Sequence, residues 1–419
     1  MRHKIHGQLS CEMTFYLLIF IRKNFLVPMK SFSVMDLGEK DFKNSEQSST
    51  RLVRSGYEYF ELLEELIYSA QERIHLQVYI YEEDETGKQI ANALIDAAKR
   101  GVKVFVVADG YASQDLSNSF IGKLELAGIQ FRFFNPLLKS KYFYFGRRMH
   151  HKVIVVDRSK AMVGGINISN NYNDTIESSA WLDWALYVEG EVAKSLENVC
   201  EDLRKFEIME ITKNRFRRRS LSPDQPIGVR INDWVRGRKE ITASYLKMLR
   251  NATSRVTIVC SYLLPGKLLR RNLRVAAKRG IKIRLVMAGM SDIAVAKYSE
   301  RYMYRWLLRN KIEIYEYQKN ILHGKLAVCD GEWLTLGSYN LNNISAYASI
   351  ELNLDVHNSD FAKQAEQNID RIVQNDCKKI TEEEYKSQDT LWNQFLQRSA
   401  YDIFRLMLFL FTFYFKQRE

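Results

Sequence analysis

Two stretches of this sequence carry the same chemical pattern. Residues 150–167 read HHKVIVVDRSKAMVGGIN and residues 323–340 read HGKLAVCDGEWLTLGSYN. Both fit H-x-K-x4-D-x6-G-[GS]-x-N, and His150 recurs as His323, 173 residues on. Residues two apart on a strand point to one face, so His150 with Lys152 and His323 with Lys325 each make an imidazole–ammonium pair. Asn167 and Asn340 close short glycine-containing turns, where backbone or amide donors approach an anion closely. Two histidines, two lysines and two asparagines brought together suit a phosphodiester. Lysines and amides hold the phosphoryl oxygens, one imidazole attacks phosphorus and the other protonates the leaving alkoxide.

A nucleophilic histidine also needs a carboxylate on its second nitrogen. Asp183 in WLDWALYV and Glu351 in SIELNLDV hold aligned places before alternating strands and are the orienting candidates. Asp157 and Asp330 complete the repeated motif. Their odd spacing from the histidines turns them to the other face, which favours a structural hydrogen-bonding role over proton transfer. There is no HExxH and no Asp/Glu cluster, so neither a metal nor another cofactor is expected.

The motifs sit in a duplicated frame. ERIHLQVYIYEEDETGKQIANALIDAAKRGVKV (72–104) resembles SRVTIVCSYLLPGKLLRRNLRVAAKRGIKI (254–283), and AAKRG recurs at 97–101 and 276–280. Each copy runs from a β-branched apolar strand through an amphipathic helix ending at Gly to a second strand, a βαβ unit. The fold class expected is α/β, with two lobes, each a mixed sheet flanked by helices, and the site at their pseudo-twofold interface. The expected divisions are an extension at 1–50, a first lobe at 51–209, a basic linker at 210–228, a second lobe at 229–380 and an apolar tail at 381–419.

The 419 residues hold 62 Lys+Arg against 50 Asp+Glu, a net charge of +12. That excess fits a polyanionic partner, either phospholipid headgroups or nucleic acid. With 46% hydrophobic and 27% charged residues the chain is globular in composition, and 5 Pro with 20 Gly exclude a collagen-like architecture. Five scattered cysteines without a CxxC argue against a disulfide framework or a zinc site, and Cys260 and Cys329 read as buried thiols.

Neither end offers a run long enough to span a bilayer. The apolar stretch from Met13 to Ile21 is short, and nothing after Asp36 needs it. The segment from Ile403 to Phe415, flanked by Arg398, Arg405, Lys416 and Arg418, suits a helix lying in a membrane interface better than one docked on its own core. KSKYFYFGRR (139–148) reads as a cap whose Arg147 and Arg148 grip a headgroup. The Tyr298, Tyr302, Tyr304 and Trp306 stripe reads as helix packing.

The paired motifs resemble the two HKD motifs of the phospholipase D superfamily, over roughly Arg54 to Gln374. Within it the chain is most similar to bacterial cardiolipin synthases, through YIYEEDETGKQIANALIDAAKRGVKVFVVADG (79–110), HHKVIVVD with GGIN, and HGKLAVCD with GSYN. The resemblance places His150, Lys152, Asp157, His323, Lys325 and Asp330 in the catalytic motifs, with Asn167 and Asn340 binding phosphate. It implies a phosphatidyltransferase that takes phosphatidylglycerol, forms a phosphatidyl-histidine on His150 and passes the group to a second lipid hydroxyl, with His323 as acid and base. It also implies a bacterial cytoplasmic membrane location, peripheral or monotopic, on the cytoplasmic side. Water as acceptor would make the same residues a hydrolase. A nuclease fits the charge but not the apolar tail, and a non-enzymatic scaffold would not need both intact motifs. LNNISAYAS (341–349) replaces the Arg-Ser segment common in the family, which bears on the acceptor lipid.

Overall fold

Runs such as VFVVA and VIVV are β-branched and bounded by glycine or charged residues, and they form strands. The computed structural model describes residues 50–136, 147–205, 226–291, 294–342, 345–346, 349–388 and 390–416. The first lobe runs β1 (Thr50–Arg54), α1 (Tyr57–Ser69), β2 (Arg73–Val78), α2 (Glu85–Lys99), β3 (Lys103–Asp109), α3 (Asn118–Leu126) and β4 (Gln130–Phe134). It continues through β5 (Arg148–Met149), β6 (Val153–Val156), β7 (Lys160–Gly164), β8 (Trp184–Glu189) and α4 (Glu191–Arg204).

The second lobe repeats this order. It has β9 (Ile227–Asp233), β10 (Arg238–Lys239), α5 (Glu240–Asn251), β11 (Arg255–Cys260), α6 (Lys267–Lys278), β12 (Lys282–Met290), α7 (Ala294–Arg309) and β13 (Glu313–Ile321). Then come β14 (Leu326–Cys329), β15 (Trp333–Gly337), β16 (Ser349–His357), α8 (Ser359–Asp376), β17 (Cys377–Ile380), α9 (Glu382–Gln388) and α10 (Leu391–Lys416). β9 begins inside the stretch expected as linker. The rest of that stretch that precedes Pro226, the extension before Thr50 and residues 139–146 of the expected cap lie outside the described residues.

The sheets match strand for strand: β1-β8-β7-β6-β2-β3-β4 in one lobe and β9-β16-β15-β14-β11-β12-β13 in the other, where β10 and β17 extend the two ends. In each, the βαβ strands are parallel and the motif strands antiparallel. The AAKRG repeat is structural in both copies. Its glycines, Gly101 and Gly280, have φ of +93° and +89°, the left-handed conformation that ends a helix. Its arginines cap the preceding helix: Arg100 donates to Ile67 O (3.0 Å), and Arg279 donates to Leu249 O (3.0 Å) and Ala252 O (2.9 Å).

The inner faces of the two sheets pack against each other. In β6, Val153 and Val155 enter this shared core while Ile154 and Val156 face the first lobe's own helices. In β14, Leu326 and Val328 enter it while Ala327 and Cys329 face the second lobe's helices. Burying each such side chain contributes about 1.5–3 kcal/mol, so both faces of the motif strands are held by apolar contact.

Asp157 and Asp330 are turn residues. Asp157–Arg158 and Asp330–Gly331 all have positive φ and open the three-residue turns that join β6 to β7 and β14 to β15. The carboxylates point away from the interface. Asp157 accepts from the backbone N–H groups of Gln71, Glu72 and Arg73, each at 2.8 Å. Asp330 accepts from Thr253 (2.8 Å), Ser254 (2.9 Å) and Arg255 (2.8 Å). Burial alone would raise the Asp330 carboxyl, but these donors hold it well below the usual range. The third letter of the motif therefore ties a hairpin to the loop before β2 or β11, and its place among catalytic residues is corrected on that ground.

Arg147 and Arg148 are corrected as well. Arg147 is buried and pairs with Asp233 (2.7 Å), while Arg148 pairs with Asp109 (3.3 Å) and donates to Asn135 O (2.6 Å). They anchor β5 inside the molecule and cannot grip a ligand from its surface. In α7, Tyr304 is buried and Trp306 is partly buried, whereas Tyr298 and Tyr302 are nearer half exposed. α10 leans on α7 through Tyr401 and Tyr302 (ring centroids 4.7 Å apart), and its buried Gln397 accepts from Tyr385 (3.2 Å). Its other side exposes Leu391, Trp392, Phe395, Ile403 and Leu406. Among the described residues no helix is long and apolar enough to cross a membrane.

Asp330→Ala removes the acceptor for three N–H groups and is expected to destabilise the chain by about 2–3 kcal/mol. Denaturant melts check this. Turnover measured well below the melting range should persist, and its abolition there would return Asp330 to the chemistry.

Candidate active site

His150 and His323 sit where each chain segment leaves a pairing with the other lobe and enters its own lobe's sheet. The H-x-K residues lie between strands: β5 ends at Met149 and β6 starts at Val153, while β13 ends at Ile321 and β14 starts at Leu326. Before the crossover each segment pairs with the other lobe. β5 pairs in parallel with β16, and His150 N donates to Ile350 O (2.9 Å). Likewise Leu322 bridges Leu182 in parallel, and His323 N donates to Leu182 O (2.8 Å). The residues after Ile350 and Leu182 are Glu351 and Asp183. The pairing thus sets each imidazole beside the other lobe's carboxylate.

The contacts are short. His150 Nδ1 lies 2.8 Å from Glu351 Oε2, and His323 Nδ1 lies 2.7 Å from Asp183 Oδ2. With the carboxylates ionised, each Nδ1 carries the proton and donates, which leaves the Nε2 lone pair for chemistry. Both carboxylates are fully buried. Gly165 and Ser338 hold equivalent positions behind them. A Cβ at Gly165 would lie 2.4 Å from Asp183 Oδ2, so only glycine admits that carboxylate. Ser338 instead donates its hydroxyl to Glu351 Oε2.

The lysines join the histidines. Lys152 Nζ donates to His150 O (2.9 Å) and lies 4.9 Å from the Tyr79 ring centroid; Tyr79 meets the His150 ring edge-on at 4.7 Å. Lys325 Nζ donates to His323 O and to Ser261 Oγ (3.2 Å). Tyr79 and Ser261 are the first residues after β2 and β11. Burial lowers the Lys152 ammonium well below its ordinary value, and the nearby Lys325 charge lowers it further. Such a pair is stabilised by an anion between them.

The same physics acts on the imidazoles. Burial lowers His150, against the opposing pull of Glu351, and burial together with Lys325 lowers His323 to about 3. Burial alone would raise Asp183, but Lys325 and the His323 hydrogen bond hold it below the usual carboxylate range. Both histidines are held neutral near pH 7 by these surroundings. A phosphodiester anion entering beside them raises their basicity.

The asparagines differ. Asn167 Oδ1 accepts from Ile80 N (3.1 Å) and its Nδ2 donates to the Tyr172 hydroxyl (2.8 Å). Its amide is therefore engaged within the first lobe. Asn340 Oδ1 is buried and has no hydrogen bond among the described residues. Tyr172 is a residue the motif does not reveal. Its hydroxyl lies 3.4 Å from His323 Nε2, and the rings meet edge-on at 5.1 Å. The second lobe has Ser345 at the equivalent place, five residues after Asn340. Its only signal in the sequence is this difference between the copies. Among the described residues no group of His, Cys, Asp and Glu is arranged to hold a metal ion.

Duplicated lobes that each supply half of a two-histidine site to one interface define the phospholipase D-like class. The family model described as "Cardiolipin synthase, PLD-like domain" matches residues 63–201 and 245–373, and the chain belongs to that family of phosphatidyltransferases. It is 35% identical over 362 residues to cardiolipin synthase B of Salmonella typhimurium, covering 83% of this chain and 86% of that one. It is 33% identical over 364 residues to cardiolipin synthase B of Escherichia coli K12, with the same coverage. Among solved structures, phosphatidylserine synthase of Haemophilus influenzae superposes with a TM-score of 0.69 at 14% identity, over 86% of this chain and 93% of that one, which shows the shared fold.

The buried histidines make the fold acid-sensitive. Burial lowers His151 to about 3 and His75, beside Glu201, to about 4. A histidine held neutral when folded binds its proton more readily unfolded, so stability is lost as pH falls from about 6.5 towards the folded value. Each such histidine is expected to cost roughly 2 kcal/mol at pH 5. Thermal melts from pH 7.5 to 5 should therefore show a falling midpoint, and a flat or rising one would contradict the burial.

Proposed function

We propose that the chain transfers a phosphatidyl group from phosphatidylglycerol to the hydroxyl of a second phosphatidylglycerol, through a phosphatidyl-histidine on His150. The crossed pairing of each imidazole with the other lobe's carboxylate carries this reading, because it gives two oriented Nε2 atoms at one interface. Lys152 and Lys325 hold the phosphoryl oxygens, and the Asn340 amide turns its NH2 to the anion. The His150 Nε2 lone pair attacks phosphorus. The substrate anion raises the basicity of His323, which takes up a proton from solvent at Nε2; the bond from phosphorus to the glycerol oxygen then breaks, and that oxygen takes this proton. In the second half the acceptor hydroxyl gives its proton to His323, attacks phosphorus and displaces His150.

Tyr172 supports this division of labour. Its hydroxyl lies 3.4 Å from His323 Nε2, where it donates to the unprotonated nitrogen and accepts from it once the nitrogen carries the proton. Among the described residues no hydrogen bond reaches His150 Nε2, so its lone pair is open for attack. The phospholipid substrate, the +12 charge and the exposed apolar side of α10 support work at a membrane surface, and the proposed location is its cytoplasmic side. The chemistry needs neither metal nor cofactor, and nucleic acid is not the substrate.

The test is product analysis by lipid mass spectrometry, with phosphatidylglycerol vesicles, a chelator and no added metal. Cardiolipin plus glycerol is expected, with turnover reduced at least 10³-fold in His150→Ala and in His323→Ala. Phosphatidic acid without cardiolipin would make water the acceptor and the chain a hydrolase.

A further inference from the structure

The two lobes match in fold but not in charge. Helices α1, α2 and α3 of the first lobe carry three basic and seven acidic residues, a net −4. Their counterparts α5, α6 and α7 carry eleven basic and two acidic residues, a net +9. The largest difference is at α6 (KLLRRNLRVAAK), which has five cations and no acid. In the register of the AAKRG repeat, Arg270, Arg271 and Arg274 replace Ala91, Asn92 and Ile95 of α2.

Lys267, Arg271, Arg274 and Lys278 lie at helical spacing on one exposed stripe. None of their side chains makes a hydrogen bond or ion pair among the described residues, whereas Lys99 of α2 pairs with Asp96 (3.1 Å). Like charges three and four apart destabilise a helix, and cations in its first turn oppose its dipole. The stripe therefore works against its own helix unless an anionic surface covers it. Leu268 (51% exposed) and Val275 (45% exposed) stand among the cations, and an apolar contact of this kind suits a lipid interface rather than a sugar–phosphate backbone.

The location also fits. The loop that leads from β11 into α6 carries Ser261, which touches Lys325, and Leu264, which bridges Asn342. The helix thus starts at the rim of the site. α6, α7 and α10 all contribute side chains to the second lobe's outer core, so the exposed aromatic side of α10 belongs to the same layer.

We infer that the outer face of α6 is the surface by which the second lobe docks on an anionic phospholipid bilayer. This deepens the proposed function and rests on its reading of the substrate as a membrane phospholipid. Cations near an anionic bilayer each strengthen binding roughly fivefold, and the attraction fades with salt.

The experiment measures partition of the full chain onto vesicles of equal parts phosphatidylglycerol and phosphatidylcholine, and onto phosphatidylcholine alone. R271Q/R274Q is expected to bind the anionic vesicles roughly 30-fold more weakly with no loss of melting temperature, since it relieves repulsion within the helix. K88Q/K99Q, which removes two cations from α2 of the first lobe, should bind like the unaltered chain. Equal binding by R271Q/R274Q, or equal binding of the unaltered chain to the neutral vesicles, overturns the inference. So does a loss of duplex DNA binding in R271Q/R274Q with vesicle binding intact, which would make the stripe a nucleic-acid surface. Lipid products are read from the same vesicles. α6-dependent binding without cardiolipin leaves the surface standing and removes the transferase reading, whereas cardiolipin with α6-independent binding removes the surface alone.

Discussion

Each imidazole of the site is oriented by a carboxylate from the other lobe, and the rest of the molecule supports this crossed pairing. His150 reaches Glu351 because β5 pairs with β16, and His323 reaches Asp183 because Leu322 bridges Leu182. Such buried pairs are demanding: removing one partner leaves the other without its compensation, at a cost of about 3–5 kcal/mol. The apolar layer between the sheets holds the lobes in register and keeps water from the Nδ1 contacts. A lobe alone would hold a histidine without its carboxylate and a carboxylate without its histidine. The duplication is therefore a condition for the chemistry, and the site is a property of the interface.

Much of this was legible in the sequence because repetition and parity are strong signals. The two H-x-K-x4-D segments, the recurrent AAKRG and the aligned Asp183 and Glu351 predicted two similar lobes with their motifs meeting. Counting seven residues from His150 to Asp157 turned that carboxylate away from the imidazole, and the hairpin turns explain why it is there. Other features were not legible. Periodicity reports the face on which a residue lies but not the strand it meets, so the crossing of partners could not be read. Arg147 and Arg148 looked like surface residues because their neighbours are basic and aromatic. Their real partners, Asp233 and Asp109, are 86 and 39 residues away in the chain. Tyr172, Tyr79 and Ser261 occur in one copy each and so carry no repeat signal.

Divergence between the copies is where the lobes take on separate work. Behind the carboxylates, Gly165 makes room for the shorter Asp183 and Ser338 steadies the longer Glu351. In front of the imidazoles, Tyr172 meets His323 and Ser345 takes the equivalent place in the other lobe. On the outer surface, α6 is strongly cationic where α2 is neutral. Two imidazoles of equal origin can thus act in different roles, one as nucleophile and the other as proton carrier, because their surroundings differ while their scaffold does not.

The central claim is that one histidine becomes covalently loaded and that it is His150. The direct measurement is to quench the chain during turnover of phosphatidylglycerol in alkaline denaturant, where phosphoramidates survive, and to locate the adduct by peptide mass spectrometry. The account predicts a phosphatidyl group on the peptide that contains His150, formed and consumed at the rate of transfer. An adduct on His323, or transfer without any adduct, would contradict it.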